Sequence, residues 1–190
     1  EAGIHVICDK PLAATMGQAE ALQAAVTAST AHFFQTHNYT GYPLIRQARE
    51  MVANGALGSL RVAQLEYAQD WLAEPLEATG QKQASWRTDP ARSGAGAIGD
   101  IGTHAFNLLQ FVTGDTVTAL AADLNSFVDG RQVDDNAQIM LRLASGARGS
   151  IWASQVAVGN ENNLRLRLYG DEGSLDWSQE HPNEMIFAKR

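Results

Sequence analysis

The chain has 190 residues, 45% of them hydrophobic and 18% charged, with a formal net charge of −7. This composition fits a globular protein with an adequate core. The acidic balance, with no lysine or arginine cluster, argues against nucleic acid or an anionic membrane as main partner, and no apolar run is long enough to span a bilayer.

In chain order, "GIHVIC" (residues 3–8) is a short β-branched apolar run that predicts a buried parallel strand. It ends on Cys8, the lone cysteine, which can form no intrachain disulfide. Cys8 reads as an inert packed thiol, and one cysteine is compatible with a reducing, cytoplasmic setting. Thr15 and Gln18 form a capping box ahead of an alanine-rich helix, and "AHFFQT" (31–36) predicts a second strand. Strand, helix and strand make a βαβ unit, the building block of doubly wound sheets. Pro43 opens the next helix, which runs to about Asn54. Leu44, Ile45, Ala48, Met51 and Val52 form its apolar face, and Gly55 supplies a left-handed cap.

"SLRVAQLEYAQ" then alternates as a strand, whereas residues 70–93 are polar and without period, the pattern of a functional or disordered loop. "DIGTHAFNLLQFVTG" predicts a helix ending at Gly114. Strand signals follow at 117–128, 137–143, 149–156, 164–169 and 174–177, and the short turns "ASGA" and "GDEG" predict antiparallel pairing. Both ends read as interrupted, so a fragment of a longer protein is expected. The expected fold class is α+β, a mostly antiparallel open sheet with helices on one face, preceded by a βαβ remnant of a Rossmann domain.

Gly94, Gly96 and Gly99 spell G-x-G-x-x-G, the pattern of a pyrophosphate-cradling loop. The lead-in "SWRTDPARS" is no buried strand, so the context that this motif needs is missing. Glycines also let one chain segment approach another without side chains in the way. Asp100 and His104, just beyond, lie four apart and share a helix face, with Ile101, Ala105, Leu108 and Val112 on the neighbouring one. The pair fits a structural hydrogen bond, an acid–base site or two metal ligands. Metal binding needs further converging ligands, and His5, His32, His37 and His181 show no ligand spacing.

"CDKPLA", "NYTGYP" and "WRTDPARSGAGAIGDIGTHAFNLLQFVTG" together resemble the glucose–fructose oxidoreductase/inositol dehydrogenase/MocA (Gfo/Idh/MocA) family, in its order and approximate spacing. "CDKP" is similar to the family's E-K-P, with Asp9 for glutamate, and "GDIGTHAFN" to its G-x-x-x-D-x-G-x-H-x-x-D, with Asn107 for the last acid. The resemblance implies a Rossmann remnant over residues 1–36 and a substrate-binding and oligomerisation domain over 37–190. It implies an NAD or NADP-dependent oxidoreductase acting on a sugar, sugar-derivative or cyclitol hydroxyl, with homo-oligomerisation through the open sheet face; the scattered histidines separately lead to the expectation of no metal. Lys10, Asp100 and His104 are then catalytic, His104 as general base and Lys10 as the charge beside the developing alkoxide. Asp9, Lys10 and Pro11 lie at the cofactor. Asn38, Tyr39, Trp86 and Arg87 join Asp100 and His104 around the substrate, and residues 70–93 carry specificity. Two other readings stay open: a non-catalytic sugar-binding or dimerisation module, and a metal-dependent lyase or hydrolase using Asp100 and His104.

Overall fold

A computed structural model describes residues 3–190. Strands β1 (Val6–Cys8) and β2 (Phe33–Gln35) pair in parallel, with helix α1 (Met16–Thr27) between them in sequence. The capping box forms as predicted: Gln18 N–H donates to Thr15 Oγ1 at 3.3 Å, and Thr15 N–H donates to Gln18 Oε1 at 3.2 Å. The expected burial does not form. Val6, Ile7 and Phe34 are 45%, 75% and 57% exposed, α1 has no buried residue, and Cys8 is only half-buried. Among the described residues this unit has no second layer to cover its apolar faces.

Helix α2 (Pro43–Ala53) turns its predicted apolar face inward, with Ile45 and Ala48 fully buried. It closes in a Schellman arrangement, Ala56 N–H donating to Met51 O at 2.9 Å and Gly55 N–H to Val52 O at 3.0 Å. Gly55 has φ 75°, the left-handed conformation that this cap requires.

The main sheet contains β3 (Leu60–Ala68), β4 (Val117–Asn125), β5 (Asn136–Leu143), β6 (Arg148–Ser154), β7 (Asn163–Gly170), β8 (Gly173–Ser178) and β9 (Met185–Lys189). Their order across the sheet is β4-β5-β6-β3-β7-β8-β9. Pairing is antiparallel except between β3 and β6, where Leu65 lies opposite Ile151 in parallel register. The turns predicted the hairpins β5–β6 and β7–β8; the parallel pair escaped prediction because β3 inserts between them from far away in sequence. β9 was not predicted either.

Alternation decides the two faces. Ala63, Leu65 and Tyr67 of β3, Leu164, Leu166 and Leu168 of β7, and Leu175 and Trp177 of β8 point into the core. Helix α5 (Thr103–Thr113) lays Ala105, Leu108, Leu109 and Val112 on that face beside α2. The other face carries polar ladders such as Arg165–Asp176 at 2.7 Å and Arg167–Glu66 at 3.0 Å.

Residues 70–93 are ordered into a 3-10 turn (Leu76–Thr79) and two short helices, α3 (Lys82–Arg87) and α4 (Pro90–Ser93), each too brief to show a period. Arg131, from the β4–β5 connection, holds this segment. Its guanidinium donates to Leu72 O at 2.8 Å, Glu74 O at 3.2 Å and the Glu77 carboxylate at 2.9 and 3.0 Å. It also meets Asp135 at 3.2 Å, both side chains being fully buried. Removing one partner of a buried pair strands the other charge, so Arg131→Met is expected to cost about 3–5 kcal/mol in urea unfolding. An unchanged unfolding midpoint would contradict this anchoring role.

Candidate active site

The segment Ile98–Gly102 is a π-helical turn that runs directly into α5, Thr103 N–H reaching back five residues to Ile98 O. Such turns frequently occur at functional sites. Asp100 sits on this one and His104 follows at the start of α5.

The glycines have a mechanical purpose here. A Cβ on Gly96 would overlap the Asp134 carbonyl oxygen, and one on Gly94 would press on the Ala14 carbonyl. The resulting closeness lets Asp134 act as a cap from a remote connection. Its carboxylate accepts from Gly96 N–H at 3.0 Å and Ile98 N–H at 2.7 Å, and its carbonyl accepts from Ala97 N–H at 2.8 Å. Helices α3 and α4 lead into the glycines rather than a strand, so the dinucleotide pattern is a coincidence of spacing.

Asp100 gathers three donors from separate parts of the chain. Lys10 Nζ, just past β1, meets Oδ1 at 3.3 Å and also donates to the Asp100 carbonyl. Arg87 Nε, at the end of α3, donates to Oδ2 at 3.1 Å, and Gln155 Nε2, just past β6, donates to the same oxygen at 3.0 Å. Arg87 also lies over the Trp86 ring, 4.3 Å from its centroid, and donates to Gln83. Sequence reasoning missed Gln155, a neutral residue in a strand-like run; its only signal is a polar side chain at a strand end.

His104 stands edge-on to Tyr39, ring centroids 4.9 Å apart, with Tyr67 and His37 at 6.1 and 6.4 Å. Burial, then the Lys10 and His37 charges, lower its pKa to about 4, Asp100 opposing weakly. The imidazole is therefore neutral at pH 7 and able to accept a proton. Burial and Lys10 also lower the His37 pKa. Burial and the hydrogen bond with Tyr39 raise that of Tyr67, keeping its hydroxyl protonated.

A cavity of about 630 Å³ opens over this centre, lined by Tyr39, Arg87, Asp100 and His104 among the predicted residues and by Tyr67, Trp71 and several amides besides. A smaller cleft of about 170 Å³ adjoins it, lined by Lys10, Pro11, Trp86, Arg87, Gly94 and Asp100. Lys10, Tyr39, Arg87, Asp100 and His104 thus converge. Trp86 belongs to the smaller cleft. Asn38 is exposed on a 3-10 turn and lines neither space, and Asp9 instead accepts from Thr36 Oγ1 at 2.8 Å, tying the ends of β1 and β2 together. His37, dismissed in the sequence for its spacing, lies beside the centre, and its buried Nδ1 has no partner among the described residues.

The GFO/IDH/MocA C-terminal domain family matches residues 45–176. An oxidoreductase from Sinorhizobium meliloti is 48% identical with a TM-score of 0.85, the match covering 98% of this chain and 48% of that one. An inositol dehydrogenase homolog from Azotobacter vinelandii, solved with NAD+, is 35% identical with a TM-score of 0.93 over 99% and 49% of the two chains. Levoglucosan dehydrogenase from Pseudarthrobacter phenanthrenivorans is 30% identical over 99% of this chain and 53% of its own. The chain thus spans about half the length of these relatives.

Burial and then the Lys10 charge hold the His104 pKa down, so the His104 ring should titrate near 4 by NMR and move part of the way toward its ordinary value of 6.5 in Lys10→Met. A wild-type midpoint at 6.5 would contradict this half-buried imidazole held near a cation.

Proposed function

The chain belongs to the Gfo/Idh/MocA family, and from that membership we propose that the protein carrying it is a nicotinamide-dependent dehydrogenase of a sugar, sugar derivative or cyclitol. The observation that carries this reading is a neutral, half-buried His104 in the larger cavity with a carboxylate-anchored Lys10 in the cleft adjoining it, the two spaces sharing Arg87 and Asp100. In this reading residues 1–36 are the last part of a Rossmann domain and residues 37–190 are the substrate domain. The uncovered apolar side chains of β1, β2 and α1 support the division, because parallel sheets are ordinarily covered on both faces.

The residues present fit a nicotinamide group. Lys10 lies beyond the carboxyl end of one parallel strand and His37 beyond that of its neighbour, where ligands of such sheets sit. The unpartnered His37 Nδ1 offers a polar contact there. Lys10 and Pro11 face the smaller cleft, while Asp9 fixes the strand ends. When bound, NAD or NADP supplies the hydride acceptor. The chain's own residues then do the rest. The His104 imidazole takes the substrate hydroxyl proton, and the Lys10 ammonium stabilises the oxygen as negative charge grows on it. Asp100 keeps Lys10 and Arg87 in place and accepts from a neighbouring substrate hydroxyl. Tyr39 gives the sugar's C–H face an aromatic surface in the larger cavity, Trp86 does so only from the adjoining cleft, and Arg87, which lines both spaces, donates to its oxygens. Asn38 enters this picture only through the turn that carries Tyr39. The helix-free sheet face, with its half-exposed Arg165, Arg167 and Trp152, is the surface through which copies associate.

With the intact protein and a sugar and cyclitol panel, His104→Ala should lower kcat by about 10²–10⁴-fold, read as reduced-nicotinamide absorbance. Near-normal turnover in both His104→Ala and Lys10→Met would overturn the role assignment. The wild-type rate of alcohol oxidation should fall only as pH drops toward 4, where His104 becomes protonated and can no longer accept a proton. An acid limb centred near 6.5 would contradict it.

A further inference from the structure

Four carboxamides converge on the larger cavity: Gln69, Gln81, Gln83 and Asn162. Two of them are fixed by a polar chain. Trp71 Nε1 donates to Gln69 Oε1 at 3.1 Å, Gln69 Nε2 donates to Asn162 Oδ1 at 2.8 Å, and the Tyr67 hydroxyl donates to the same oxygen at 2.7 Å. The other two have their oxygens occupied. Gln81 Oε1 accepts from Ala84 N–H, and Gln83 Oε1 accepts from Trp86 Nε1 and from Arg87. Their Nε2 groups make no hydrogen bond among the described residues and so stay available as donors, and the exposed carboxylate of Glu161 lines the same cavity as an acceptor. A hydroxyl both donates and accepts, so a wall offering amide donors and a carboxylate acceptor matches a polyol.

The charges point the same way. Lys10 and Arg87, the lysine and arginine at this centre among the described residues, are both paired to Asp100, and Glu161 adds a second carboxylate. Phosphate and carboxylate sites are ordinarily built around an arginine free to make two parallel hydrogen bonds. Here the Arg87 Nε and one terminal nitrogen are already committed to Asp100 and Gln83. An anionic substituent would enter a balanced site with a carboxylate in its wall.

Resting on the dehydrogenase reading, we infer that this cavity takes an uncharged sugar or cyclitol and discriminates against the phosphorylated or carboxylated counterpart. The amides supply the affinity and Glu161 the exclusion. Like-charge juxtaposition of this kind is expected to separate the two by about 100-fold in kcat/KM.

The test uses the intact protein with NAD and with NADP. A panel of neutral hexoses, pentoses and cyclitols is assayed, each beside its monophosphate or aldonate, with calorimetry of the same pairs on His104→Ala. Preference for the neutral member, with the gap narrowed in Glu161→Lys, supports the inference. An anionic member that is turned over or bound as well as its neutral partner overturns it, as does binding of neither. Neutral binding without any turnover by the wild-type protein would leave this inference standing and remove the dehydrogenase reading beneath it.

Discussion

The Asp100 carboxylate is the junction on which the site depends. It draws Lys10 from beyond β1, Arg87 from the end of α3 and Gln155 from beyond β6 onto two oxygens. Charges withdrawn from water persist only where they are paired and hydrogen-bonded, and each of these partners is partly buried. The arrangement fixes an ammonium group beside a neutral imidazole without leaving either cation uncompensated. A dipole or charge held in place before reaction needs no reorganisation when negative charge develops, and this is the physical advantage of such a junction.

That junction is held by a second layer of contacts from the β4–β5 connection. Asp134 caps the π-helical turn through Gly96 and Ile98, and Asp135 accepts Gln155 N–H on its carbonyl at 2.9 Å. Arg131 meanwhile pins the segment that carries Trp71 and, beyond it, α3. One connection therefore braces the turn bearing Asp100, the strand end bearing Gln155 and the segment lining the cavity. The β4–β5 connection is thus central to the alignment of the site.

Helices α1, α2 and α5 and the β5–β6 and β7–β8 hairpins were legible because each is set by neighbours in sequence: caps, turns, and the 3.6-residue period. The glycine pattern could be read as a close approach because its lead-in lacked a strand; that Asp134 makes the approach could not, since the two lie 38 residues apart. The parallel β3–β6 pair and Gln155 escaped for the same reason, as contacts between distant segments leave no local trace. Residues 70–93 looked irregular because their order comes from Arg131 rather than from a period of their own. The exposure of β1 was also invisible, since an apolar run reports what a strand would bury and not whether anything covers it.

A crystal structure of the intact protein with reduced nicotinamide and a bound neutral polyol tests the central claim most directly. The account predicts one substrate hydroxyl within hydrogen-bond reach of both His104 and Lys10 Nζ, inside the cavity that Asp100 and Arg87 line. A polyol seated elsewhere, with His104 and Lys10 turned away from every substrate oxygen, would contradict it.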